Sequence, residues 1–143
     1  MTTEHRALET ALDLALTRTI VTREIDAALG AHGIALSDLA LLIELRGSRD
    51  GKLRRVELAN RIGVTPSGVA RQLQPLERIG LVGREPHARD ARLALVTLTD
   101  AGRRIAEEAV PTAEAAAERA LARIWSDAER ERLAKLMSDV RAD

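Results

Sequence analysis

Apolar residues recur along most of this chain at helical spacing, and the pattern breaks at glycines and at one short basic stretch. Leu8, Leu12, Ala15, Leu16, Thr19, Ile20, Ile25 and Leu29 predict a long helix over 4–29, closed by Gly30 and Gly33. Residues 36–46, LSDLALLIELR, are apolar on most sides and predict a second, buried helix that Gly47 stops. After the turn SRDGK, Leu53-Arg54-Arg55 reads as a short extended edge piece. Val56 to Ile62 then reads as a compact helix with Leu58, Ala59 and Ile62 facing inward, ended by Gly63.

The next helix has a clear start. Thr65 suits an N-cap and Pro66 the first helical position, where its missing N–H costs nothing. Val69, Leu73, Leu76 and Ile79 mark its apolar face, while Ser67, Arg71, Gln72, Gln74 and Arg78 occupy the other. Pro75 removes a backbone hydrogen bond and is expected to bend the helix, leaving Pro66 to Gln72 straight. Gly80 ends it. Two strand-like runs follow, Leu81 to Glu85 and Arg92 to Leu98, around the polar turn Pro86 to Ala91. Thr99-Asp100 caps a helix over about 101–124, which Pro111 is expected to kink or briefly interrupt. Ser126 to Glu129 is a capping box that opens a last helix with Leu133, Leu136, Met137 and Val140 on one face.

Helix, glycine-containing turn, helix is the helix-turn-helix arrangement, whose second helix lies in the major groove. The fold class expected is mainly α with a small β-hairpin wing. It forms a single domain over 1–143, with residues 36–99 as a winged helix-turn-helix lobe. The amphipathic helices of 4–34 and 100–143 find little core to cover them in one copy. They are expected to form a dimerisation region, and a two-fold homodimer is the commonest solution.

Composition changes this picture in two places. Lys and Arg total 22, Asp and Glu 22, so the formal net charge is zero, which alone argues against nucleic acid. Charge by segment argues for it: residues 1–50 sum to −3, 51–104 to +6 and 105–143 to −3. With one Trp and no Phe or Tyr, the base-stacking rings of single-strand binders are missing, so duplex DNA is the expected partner. No apolar run reaches the roughly 20 residues of a membrane span, and the N-terminus has no signal-peptide core, so the expected compartment is the cytoplasm. Cysteine is absent, which excludes disulfides and thiolate metal sites.

The candidate chemistry is recognition, not catalysis. Arg71 can fork to guanine and Gln72 to adenine in the major groove. Thr65 and Ser67, at a helix N-terminus, suit phosphate contacts. Arg89 and Arg92 in the hairpin turn are candidates for the adjacent minor groove. Lys52, Arg54 and Arg55 read either as phosphate anchors or as a solvated edge. His5, His32 and His87 have no ligand partners at helical spacing, so no metal site is expected. No serine has a histidine partner and no paired carboxylates share a cleft, so neither an enzyme nor a cofactor is expected. Trp125 reads as a packing residue.

The stretch LANRIGVTPSGVARQLQPLERIGLVGR, then Asp90-Ala91-Arg92, then Val96-Thr97-Leu98-Thr99-Asp100-Ala101-Gly102 resembles the MarR (multiple antibiotic resistance regulator) family. That family carries a D-x-R in its wing followed by V-x-L-T-x-x-G, and the likeness extends over nearly the whole chain. It implies a homodimeric DNA-binding transcription factor, usually a repressor released by a small ligand held between the dimer helices and the winged domain. It also implies that Arg92 belongs to the wing motif, with Asp90 as its brace. Gly68 stands where relatives often carry a Ser or Thr that contacts DNA, which shifts weight to Ser67, Arg71 and Gln72. That departure, with the zero net charge, motivates the alternative of a dimeric protein-interaction module that no longer binds DNA.

Overall fold

The structure, a computed structural model, describes residues 3–90 and 93–142. It contains α1 (Thr3–Leu29), α2 (Leu36–Gly47), β1 (Lys52–Arg54), α3 (Arg55–Ile62), α4 (Pro66–Arg78), β2 (Val82–Pro86), β3 (Ala94–Leu98), α5 (Asp100–Ile124) and α6 (Asp127–Val140). The class is that expected, mostly helical with a small antiparallel sheet. The chain divides into two compact units, residues 29–111 and residues 1–28 with 112–143. Among the described residues no single helix is long and apolar enough to cross a membrane.

The 29–111 unit is built on leucines. Leu29, Leu39, Leu41, Leu42, Leu45, Leu58 and Leu73 are fully or almost fully buried, joined by Val69, Leu76, Leu81 and Val96. Each such side chain contributes roughly 1.5–3 kcal/mol by leaving water. The apolar face of α4 is as the spacing predicts for Val69, Leu73 and Leu76 but not for Ile79, which is 59% exposed. The helix ends at Arg78, and Ile79 lies past its last turn. Pro75 and Pro111 do not interrupt their helices. Both sit on exposed faces, where solvent can meet the carbonyl that each proline leaves without a partner.

The sheet has three strands in the order β1-β3-β2, with β3 central and antiparallel to both neighbours. The hairpin register runs from Val82↔Leu98 to Pro86↔Ala94, and β1 pairs Leu53↔Val96. Leu53, Val82 and Val96 are buried on one face. On the other face Lys52 reaches across the central strand to Glu85 at 2.8 Å. The extended piece foreseen at 53–55 is shifted by one residue, because Arg55 already belongs to α3.

One close approach locks the sheet to α5. Thr99 Oγ1 donates to the Gly80 carbonyl at 2.6 Å and accepts from the Gly102 N–H at 3.0 Å, while the Thr99 N–H donates to the Leu81 carbonyl at 3.2 Å. This folds the first turn of α5 onto the chain leaving α4. A Cβ on Gly102 would overlap the Leu81 carbonyl oxygen and come within 2.8 Å of a Leu98 methyl carbon. The T-x-x-G spacing is therefore a cap followed by a backbone contact that only glycine permits.

The other unit consists of α1, the latter part of α5, and α6. Its inward positions on α5 are small, with Ala113, Ala116 and Ala120 buried, and Ile25 of α1 is buried as well. Arg123 pairs with Glu24, joining α5 to α1. Arg130 pairs with Glu118 and Asp127, joining α6 to α5. The capping box foreseen at the start of α6 forms, with Glu129 Oε2 accepting from the Ser126 N–H at 2.8 Å and the Ser126 side chain accepting from the Glu129 N–H. A stripe at four-residue spacing on α1 lies in solvent: Leu8, Leu12, Leu16 and Ile20 are 60, 62, 58 and 39% exposed. Leu136, Met137 and Val140 of α6 are exposed as well.

Candidate nucleic-acid interface

α3, the turn at Gly63 and α4 make the helix-turn-helix. Gly63 adopts φ 72°, a left-handed conformation that terminates α3. Thr65 then caps α4, its Oγ1 accepting from the Gly68 N–H at 3.0 Å, with Ser67 Oγ 3.2 Å away. The Thr65 hydroxyl is thus engaged at the helix start, while Ser67 is exposed on the first turn. Gly68 faces that same hydroxyl: a Cβ there would lie 3.1 Å from Thr65 Oγ1.

The structure separates the two candidate base readers. Arg71 is exposed and has no ion pair or side-chain hydrogen bond among the described residues. Gln72 is half-buried, and its Nε2 donates to the Ser37 carbonyl at 2.7 Å, tying α4 to the first turn of α2. This tie joins residues far apart in sequence, and no local pattern announces it.

Several neighbouring cations are already neutralised within the unit. Arg54 pairs with Glu57, Arg61 with Glu44, Arg84 with Glu77, and Lys52 with Glu85. The hydrogen bond to Glu85 holds the Lys52 amine above its ordinary pKa, so it stays charged but occupied. Along 52–90, Arg55, Arg71, Arg78 and Arg89 have no such partner among the described residues. These four arginines contribute to the +6 of residues 51–104 in a chain whose sum is zero.

In the wing, the Arg89 N–H donates to His87 Nδ1 at 3.2 Å, and its side chain is exposed. The Leu93 N–H donates to the Asp90 carbonyl at 3.0 Å, and the His87 N–H to the Leu93 carbonyl at 3.1 Å, closing the turn. Arg92 lies outside the described residues, and so does Ala91. Arg54 and Arg55 sit at the start of α3, on the side of the unit that also carries Pro66 and the base of the wing, where they line one recess with Val56, Leu93 and Ala94.

The family model described as MarR family matches residues 34–93. A MarR family transcriptional regulator from Streptomyces coelicolor, solved in complex with DNA, is 25% identical with a TM-score of 0.81, covering 98% of this chain and 87% of that one. BldR, a transcriptional regulator from Sulfolobus solfataricus, is 26% identical with a TM-score of 0.79, covering 97% and 99%. CouR from Rhodococcus jostii RHA1, solved bound to p-coumaroyl-CoA, has the same fold at 21% identity and a TM-score of 0.77, covering 92% and 91%. No curated protein matches the chain. Sequence motif, family model and fold agree on a MarR-like winged helix-turn-helix: the family model matches residues 34–93, and the solved transcriptional regulators above share the fold over nearly the whole chain.

Proposed function

We propose that this regulator is a repressor that binds duplex DNA in the cytoplasm as a homodimer on a pseudo-palindromic operator. α4 of each copy enters one of two successive major grooves, about 34–36 Å apart. The observation that carries this reading is Arg71, the single cation of the first two turns of α4, which is exposed and unpaired among the described residues. Arg71 is assigned to base readout, Ser67 and Thr65 to phosphate contacts, and Arg89 with Arg92 to the minor groove beside the wing, with Asp90 as brace. The exposed stripe of α1 and the exposed face of α6 favour burial on a second copy.

Binding of the purified protein to its own upstream DNA, followed by fluorescence anisotropy, tests this. Arg71→Ala is expected to cost about 1–3 kcal/mol, a loss of roughly tenfold to more than hundredfold. Equal affinity of wild type and variant for that DNA, or no binding at all, would sink the reading.

Ligand control is the second part of the proposal. The terminal unit holds a recess of about 390 Å³ lined mainly by Leu14, Leu121, Leu133, Met137 and Trp125, with Arg18 and Asp13 as its charged groups. That lining suits a small, largely apolar ligand with one polar end. Such a ligand acts only by favouring a conformation of the dimer that binds the operator less well. Trp125 is the chain's single tryptophan, so quenching of its fluorescence reports occupancy. The same compounds are expected to lower operator affinity, and quenching without any loss of affinity would refute the coupling.

A further inference from the structure

α4 carries its outward polar groups on one narrow stripe. At about 100° per residue, Ser67, Arg71, Gln74 and Arg78 fall within roughly 60° of one another, opposite the buried Val69, Leu73 and Leu76. All four are exposed. The positions flanking the stripe offer no side-chain donor or acceptor, since Pro66, Ala70 and Pro75 are apolar and Gly68 has no side chain. Pro75 does not interrupt the helix, so Gln74 continues the line of Ser67 and Arg71 instead of bending away from it.

The chain has two glutamines, and both lie on this helix. The fold treats them differently. Gln72 is engaged by the Ser37 carbonyl, whereas Gln74 has no hydrogen bond among the described residues. No carboxylate competes for it either, because Glu77, one turn further on, is held by Arg84 at 2.7 Å. A free carboxamide presents a donor and an acceptor side by side, which is the pattern that matches N7 and N6 of adenine in the major groove. Arg71 carries donors alone and suits guanine.

We infer that Gln74 is a specificity-determining residue that reads one adenine in each operator half-site. Its Nε2 donates to adenine N7, and its Oε1 accepts from the N6 amine. The role presupposes the DNA-binding reading proposed above, and it adds a base reader in the third turn of α4. Arg71 and Gln74 lie about 4.5 Å apart along the helix axis, and successive bases of a strand are about 3.4 Å apart. The two side chains therefore address neighbouring base pairs, one read as guanine and the other as adenine.

The test uses the full-length protein, its own upstream duplex and a panel of duplexes that each change one base pair, titrated by anisotropy. Gln74→Ala is expected to bind the parent duplex roughly five- to hundredfold more weakly. At one A·T pair in each half-site, substitution is expected to weaken wild type but not Gln74→Ala, in which the contact is already gone. Gln74→Glu, an acceptor only, is expected to move the preference at that pair to C·G. The salt slope and the DNA-free melting temperature of Gln74→Ala are expected to stay at their wild-type values, since the contact involves neither a phosphate nor the core. The same ranking of the panel by wild type and Gln74→Ala would overturn the assignment. So would an equal loss on every duplex, which marks a phosphate contact or an altered fold. If wild type does not separate its own duplex from a scrambled one, the DNA-binding reading falls first and takes Gln74 with it. If Arg71→Ala loses affinity while Gln74→Ala keeps the wild-type ranking, the role of Gln74 alone falls.

Discussion

The amide of Gln72 donates to the backbone carbonyl of Ser37 at 2.7 Å, so the second helix of the helix-turn-helix is fastened to the first turn of α2. A side chain chemically fit to read adenine is instead used to hold the reading helix in place. Of the two proposed readers, this leaves Arg71 exposed on the same turn.

Gln72→Ala is therefore expected to act first on stability. A typical net hydrogen bond contributes about 0.5–1.5 kcal/mol, and the Ser37 carbonyl is close enough to solvent to recover part of that. Chemical denaturation would show the loss, and operator affinity should fall without a change in base preference. A shift in preferred bases at one operator position, with unchanged stability, would return Gln72 to the readers.

Gly102→Ala is expected to be among the most damaging single-methyl changes in the chain. The new Cβ meets the Leu81 backbone carbonyl, which cannot move without disturbing the Thr99 cap. Overpacking of this kind costs typically 1–3 kcal/mol, and backbone opposition puts it at the upper end. A melting temperature within a degree of wild type would contradict the geometry. Gly30→Ala is the control, because nothing lies near a Cβ there.

Replacing Leu12 and Leu16 with Glu should leave the 29–111 unit folded, because both residues lie on an exposed helix face in the other unit. If that face is the dimer interface, sedimentation should report a monomer, and operator affinity should collapse to the weak, non-specific level of a single reading head. A double variant that still sediments as a dimer would move the interface elsewhere.

The Ser126 backbone N–H, and then its hydroxyl, hold the Glu129 carboxyl below its ordinary pKa. A group whose folded pKa is depressed stabilises the fold above its unfolded pKa and loses that contribution as pH falls through the folded value. The start of α6 should accordingly loosen in acid, below the usual carboxylate range. Hydrogen exchange at the first turn of α6 between pH 6 and pH 3 would show it, and Glu129→Gln should flatten the response. Exchange that is equally slow in wild type and variant at both pH values would remove the effect.

The sequence made the local features legible and hid the distant ones. Thr65 and Pro66 announce the start of α4 because capping and proline geometry act over three residues. Ser126 and Glu129 announce α6 for the same reason. Ile79 continued the apolar spacing of α4 past the point where the helix stops, since periodicity alone does not register a helix end. The three-residue strand Lys52–Arg54 exists through pairing with β3, across a long loop closure that no window of sequence spans. The boundary between β1 and α3 matters more than its one-residue size suggests, because it decides that Arg55 begins a helix instead of ending a strand. At the interface, Arg71 and Arg89 were readable as exposed cations, whereas the engagement of Gln72 by Ser37, of Lys52 by Glu85 and of Arg84 by Glu77 depends on tertiary neighbours.

The contact between Leu81 and Gly102 also sets the smallest piece of this protein that can be exchanged. A hairpin cut at Val82 and Leu98 would leave the Leu81 carbonyl and the Thr99 hydroxyl without the surfaces they were shaped against. The transplantable cassette runs from Gly80 through Gly102, and a chimaera that carries a foreign wing should tolerate the graft only when both glycines and the threonine travel with it.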